Sequence, residues 1–259
     1  MPWPFARNSQ VVVASPDDVI ASADTRFAFR LFHELAQSTN GNVFFSPAGV
    51  MLCLAMVHDA AAGTTRAEMA SALEIAGLGP TEQELVIKGL IAAFRERDEV
   101  EICSSNSLWC DLSAQVLPEY AATVRELFQA ALTPLDFHAP DAVNTVNGWV
   151  QEKTRGKISR IVETLPALTA LIAANAVYLK GQWTSPFPAE FTYKSSFTTA
   201  DGQIKQVPIM NQFGSFSYYE GQDLQAAVLP YKGEIAMHVV LPSPNQDAGD
   251  FAGAWNVQK

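Results

Sequence analysis

Apolar residues first recur with helical spacing at Ala28, Leu31, Phe32, Leu35 and Ala36, with Arg30, Glu34 and Gln37 on the other side. This predicts an amphipathic helix from Arg26. Asn40-Gly41-Asn42 reads as the turn that ends it, and Val43, Phe44 and Phe45 as a short buried strand. Ser46-Pro47 supplies a capping serine and a proline suited to the first helical position, so a second helix is expected there. The apolar run over residues 50–57 predicts that this helix is buried on most sides. Gly63-Thr64-Thr65 breaks it, and Thr65 is expected to cap a helix carrying Met69, Leu73 and Ile75. Thr81-Glu82-Gln83-Glu84 has the form of a capping box for a helix with Leu85, Val86, Leu90, Ile91 and Phe94.

Residues 101–111 favour a strand, and Pro118 opens a helix with Tyr120, Val124, Leu127 and Phe128 on one face. Residues 132–137 read as a strand. Asp141 is expected to cap a helix whose inner face holds Val143, Val146, Trp149 and Val150, with Gly156 at its C-terminal end. The second part of the chain changes character. Residues 170–179 are a continuous apolar run, as expected of a strand buried on both faces. After Gly181 the chain reads as strands and turns, with a hairpin signal at Asp201-Gly202. Residues 224–231 and 235–241 are expected to pair around Lys232-Gly233, and residues 242–250 to form a loop. Helices first and strands later predict an α+β fold in one domain, over residues 23–259, behind a loose leader at residues 1–22.

Composition narrows the function classes. Of 259 residues, 48% are hydrophobic and 17% charged, a globular balance. The net charge of -10 repels phosphate backbones, so a nucleic-acid partner is disfavoured. The longest apolar run, residues 167–179, is too short to span a bilayer and contains Thr169, Asn175 and Tyr178. The start of the chain makes a poor signal peptide, because its apolar stretch at residues 11–14 is too short and comes after Pro2 and Pro4. Cys53, Cys103 and Cys110 are odd in number and match no zinc spacing, so they read as small buried thiols.

Catalytic signatures are absent from the sequence. It holds no G-x-S-x-G, no P-loop and no complete dinucleotide fingerprint. Gly77 and Gly79 form only a lone G-x-G ahead of Pro80. His33-Glu34 begins like a zincin motif, but Gln37 stands where the second ligand would be. His58, His138 and His238 have no cysteine or carboxylate at ligand spacing. Lys88, Arg95 and Arg97 are mixed with Glu84, Glu96 and Asp98, a solvated face and not a polyanion-binding stripe. The expectation is a protein without metal or cofactor that is not an enzyme.

Four stretches together resemble the serpin family: NVFFSPAGVMLCLAMVHDAAAGTTRAEM from Asn42, VNGWVQEKTRGKI from Val146, NAVYLKGQWTSPF from Asn175, and AVLPYKGEIAMHVVLP from Ala227. The resemblance covers about residues 23–259. It implies helices packed on a large mixed central sheet plus smaller sheets. It also implies a suicide-substrate inhibitor, in which a protease cleaves an exposed reactive loop that then inserts as a new strand into the central sheet. The expected partner is a serine protease, with a cysteine protease as the alternative.

By the same resemblance Ser46, Pro47 and Asn175 lie where the central sheet opens, and Trp183 lies near the point where insertion begins. Lys180 and Gly181 belong to the same motif as Trp183, and residues 143–156 form a helix lying across the sheet. Three positions depart from the family pattern. Gly49 stands where the family often has Ser, Ala60-Ala61 replaces Gly-Ala, and Leu179 replaces a frequent Phe. The C-terminal strands, the hinge and the reactive loop have no counterpart in these residues, so the chain by itself is expected not to be inhibitory. The alternatives are a non-inhibitory binding or chaperone protein of the same fold, or a truncated gene product. The family implies an extracellular location, and the poor leader leaves a cytoplasmic one as the alternative.

Overall fold

The computed structural model describes residues 16–39, 41–95, 97, 99–199, 201–244, 246 and 251, with side chains from residue 23 onward. The expected turn residue Asn40, the exposed-face residues Glu96 and Asp98, most of the loop over 242–250 and the last eight residues lie outside the described set. The chain divides into two compact units. The first comprises residues 1–96, 102–179 and 248–259, and the second residues 97–101 and 180–247.

In the first unit, helix α1 runs over Pro16–Ser38, so residues 16–22, read from sequence as leader, are helical. Helix α2 (Pro47–Ala60) begins as its sequence dictates. The Ser46 hydroxyl accepts from the Gly49 N–H at 3.2 Å, and Pro47 occupies the first turn, where no amide is needed. Its buried residues Met51, Leu52, Ala55 and Met56 meet Ala23 and Phe27 of α1 in the main core. The expected strand before it is absent. Phe44 is 98% exposed, and Phe45 stacks on Phe32 of α1 with ring centroids 6.3 Å apart. Phe45 thus anchors the entry to α2, and residues 43–45 pair with no sheet.

Helix α3 (Gly63–Ala72) starts two residues ahead of Thr65, and no side chain caps it. Instead Arg66 donates to the carbonyls at the end of α2, those of His58, Asp59 and Ala61, at 3.1 to 3.4 Å. Helix α4 (Pro80–Ala93) also begins one residue before the expected box, because Glu82 reaches back to the Gly79 N–H at 2.7 Å. Glu74, at positive φ after α3, holds Arg26 and Arg30 of α1 and so ties the two segments together.

Strand β1 (Val100–Asp111), helix α5 (Pro118–Glu126) and strand β2 (Ala130–Leu135) form a crossover, with β1 and β2 parallel and Leu108 opposite Leu132. Pro134 fits because β2 is an outer strand and needs no amide there. Helix α6 (Ala142–Lys153) comes next. Asp141 precedes it, but its side chain does not cap. Its carbonyl accepts from Thr145 instead. Gly156 closes the segment at φ 77°, donating to the Gln151 carbonyl at 2.7 Å.

Strand β3 (Leu171–Gly181) completes the sheet in the order β2-β1-β3. The expectation of burial on both faces fails. Only Ala174 and Ala176 are buried, and Leu179 is 43% exposed. As an outer strand, β3 has a neighbour on one side only among the described residues.

In the second unit, β4 (Tyr193–Thr198) and β5 (Ile204–Ile209) form the expected hairpin. Gly202 takes φ 79°, and Asp201 Oδ1 accepts from Thr199 and Gln203. Strands β6 (Ser217–Glu220), β7 (Leu224–Pro230) and β8 (Ala236–Pro242) form an antiparallel sheet in that order. The β7–β8 pair matches the expected one, and its turn places Gly233 and Glu234 at positive φ. Val239 and Leu241 of the outer strand β8 are 44% and 60% exposed.

Candidate functional site

Alternation along β1 puts Ser104 and Asn106 on the same face of the strand. Asn175 on β3 reaches both. Its Nδ2 donates to Ser104 Oγ and to Asn106 Oδ1, each at 2.8 Å. Asn106 is buried, and its own Nδ2 donates to the Phe128 carbonyl at 2.9 Å. An amide chain therefore runs from β3 across β1 to the segment between α5 and β2. Asp111 N–H also donates to the Ala170 carbonyl at 3.0 Å, so residue numbers fall on β3 as they rise on β1 and the two strands are antiparallel.

The first turn of α2 closes the other side of this network. A Cβ added at Gly49 would lie 3.0 Å from Asn175 Cγ, closer still to its Oδ1, and 3.2 Å from Ser46 Oγ. Gly49 is therefore the residue that lets the Asn175 amide sit against the helix. Ser46, Gly49 and Asn175 come together, with Pro47 starting the helix that carries Gly49. Ser104 and Asn106 were missed. Their only sequence signal is a polar run, residues 104–107, inside a strand whose other residues are mostly apolar.

Gly181 and Trp183 lie in the second unit, around Tyr231. Trp183 stacks on Tyr231 with centroids 4.0 Å apart and planes at 15°, and meets Phe187 edge-on at 6.0 Å. Backbone bonds fix the pair: Thr184 N–H donates to Pro230 O at 2.9 Å, and Lys232 N–H to Gln182 O at 2.8 Å. A Cβ at Gly181 would come within 2.8 Å of Tyr231 Cδ1. Lys180 is exposed. Tyr231 was not singled out from sequence, because nothing in a strand pattern shows which aromatic a distant Trp will meet.

Helix α6 packs in a second core cluster of Trp109, Phe137, Val146 and Ala174, with Trp149 edge-on to Trp109 at 5.3 Å. Asn147 holds the segment just C-terminal to the helix. Its Oδ1 accepts from the Ile161 and Val162 amides at 2.8 and 3.1 Å, and its Nδ2 donates to the Val162 carbonyl at 2.8 Å. Thr154, also buried, bonds the Val150 carbonyl and the Ile158 amide.

The groups gathered around Asn175 are amides and hydroxyls, which neither take nor release protons near neutral pH. They hold strands and carry out no acid–base chemistry. Burial pushes the Cys53 thiol up to about 12, and raises Cys110 as well, so neither is a nucleophile. Cys103, expected to be buried, is exposed on β1.

The family described as Serpin (serine protease inhibitor) matches residues 22–256. An uncharacterized serpin-like protein of Thermococcus kodakarensis is 36% identical over 231 residues, covering 86% of this chain and 53% of its own length. The leukocyte elastase inhibitor of Bos taurus is 35% identical over 237 residues, covering 88% and 62%. The chain thus spans little more than half the length of these curated relatives. Among solved structures, reactive-loop-cleaved human thyroxine-binding globulin superposes with a TM-score of 0.85 at 24% identity, covering 92% of this chain and 72% of that one. Emu ovalbumin superposes with a TM-score of 0.83 at 25% identity, covering 92% and 67%.

Proposed function

The chain belongs to the serpin family, and we propose that it forms the body of a protease inhibitor that works by strand insertion. In this reading β3 is the strand beside which the cleaved loop enters. The observation that carries it is the Asn175–Ser104–Asn106 network at that outer strand, closed by Ser46 and Gly49 of α2. Side-chain bonds of this kind can change partners as neighbouring strands move, at a cost of about 1 kcal/mol each, whereas an apolar seam would resist.

Trp183, stacked on Tyr231, is the counterpart of the family's tryptophan where insertion starts, and α6 with its Asn147-pinned segment is the helix that must yield. The reactive loop lies, by the same resemblance, C-terminal to the residues described. The partner is a serine protease, and an elastase-like enzyme is the first to try, given the leukocyte elastase inhibitors among the relatives. The test incubates the protein, expressed with its reactive loop, with such a protease and resolves the products under denaturing conditions. A denaturant-stable protease adduct is expected. Cleavage without adduct would leave a binding role for the same fold.

A further inference from the structure

A cavity of about 180 Å³ lies between the C-terminal half of α2, the start of α3, the turn after it and the first half of α4. It belongs to the first unit and meets the Asn175 network only at Phe128, whose carbonyl accepts from Asn106. Its wall is apolar and deeply buried, formed by Met51, Ala55, Leu73, Val86, Ile87 and Phe128. One polar side chain is set into that wall: His58, only 5% exposed.

The hydrogen bonds His58 makes to Ala61 N–H and to Arg66 use its backbone carbonyl and not its ring, and His58 is one of the residues that line the cavity. The other polar side chains of the lining have partners of their own. Arg66 caps α2 and pairs with Asp59 at 3.7 Å. Glu84 pairs with Lys88, and the Gln83 amide donates to the Ile75 and Leu78 carbonyls at 3.3 and 3.0 Å. A ligand here need bring no counter-charge.

We propose that this cavity binds a small neutral aromatic molecule carrying one hydroxyl, a phenol-sized ligand whose ring fills the apolar wall and whose O–H donates to His58. The volume fits, since an apolar cavity of about 150 Å³ is enough for a benzene ring. The imidazole is ready to accept. Burial, helped by the Arg66 charge and opposed by Asp59, holds His58 below its usual range, so it is neutral at pH 7. The hydroxyl distinguishes the ligand from a purely apolar one, because the free nitrogen of a neutral imidazole accepts only from a donor.

The experiment titrates the protein with phenol and, separately, with toluene. It tracks the methyl resonances of Met51, Val86 and Ile87 and the ring nitrogens of His58. Both ligands are expected to move the methyls, phenol alone to move the His58 nitrogens, and Ala55→Leu to abolish both responses while the melting transition persists. In His58→Leu, phenol affinity should fall by up to about tenfold with toluene unaffected. If that variant does not fold, the nitrogen shifts in the parent protein decide. Methyls that stay put at saturating phenol, binding that survives Ala55→Leu, or His58 nitrogens that respond to toluene as to phenol would each overturn the proposal.

Discussion

Replacing Gly49 by alanine tests the geometry at the outer strand. On helix propensity alone the change should stabilise α2, by at most about 1 kcal/mol. The structure opposes it. The new Cβ would sit 3.0 Å from Asn175 Cγ and closer to Oδ1, so the amide must turn away. Crowding of this kind costs about 1–3 kcal/mol. Turning the amide also strains the bonds to Ser104 Oγ and Asn106 Oδ1, worth about 1 kcal/mol each. The net expectation is a loss of about 1–3 kcal/mol, read as a lower urea midpoint with unchanged slope.

The decisive form is a cycle with Asn175→Ala, which removes the obstacle. In that background Gly49→Ala should be neutral or stabilising, giving a coupling of about 2 kcal/mol. Additive effects, or a Gly49→Ala protein more stable than the parent, would refute the argument. The result also bears on the family pattern. Glycine at this position lacks the hydroxyl the family often has, and the space it leaves is taken up by the Asn175 amide.

Three further outcomes are expected. Asn147→Ala removes three bonds to residues 161–162 and should cost about 2–4 kcal/mol, or else release residues 158–166 as a site of early proteolysis while the rest stays folded. A thiol reagent should modify Cys103 rapidly in the native protein and reach Cys53 and Cys110 only on unfolding, as mass spectrometry would show. His58 has a folded pKa below the unfolded value of about 6.5, so between the two the unfolded chain holds more protons. Its contribution is complete above about pH 6.5 and declines as pH falls through the folded value. Melting temperatures should therefore drop on acidification from neutrality, and His58→Gln should flatten that slope. Asp24, raised by burial, acts in the opposite sense in a lower pH range.

The helices and hairpins were legible wherever a local rule sets them. Ser46-Pro47 fixed the start of α2, Asp201-Gly202 the β4–β5 hairpin, and the four motif stretches the family. Features that local rules do not encode were misread. Three consecutive apolar residues at 43–45 look like a strand, yet Phe45 packs on Phe32 of α1, a contact that depends on tertiary placement. The apolar run in β3 suggested burial on both faces, yet only Ala174 and Ala176 are buried, because what covers a face is not written in one strand's composition. Asn175 could be named from its motif, whereas Ser104, Asn106 and the Gly49 contact emerge only from the antiparallel β1–β3 pairing. Boundaries slipped where the cap fell on another residue than expected, as at the start of α4, where the Glu82 side chain accepts from the Gly79 N–H.

The proposal of a strand-inserting inhibitor turns on the fate of the chain after cleavage. The protein, expressed through its reactive loop, would be incubated with an elastase-like serine protease and analysed by denaturing electrophoresis and by melting. The expected result is a denaturant-stable protease adduct, a cleaved fraction that melts well above the intact protein because a new strand has joined β3, and less adduct in Asn175→Ala. A cleaved product that forms no adduct and melts where the intact protein does would contradict strand insertion.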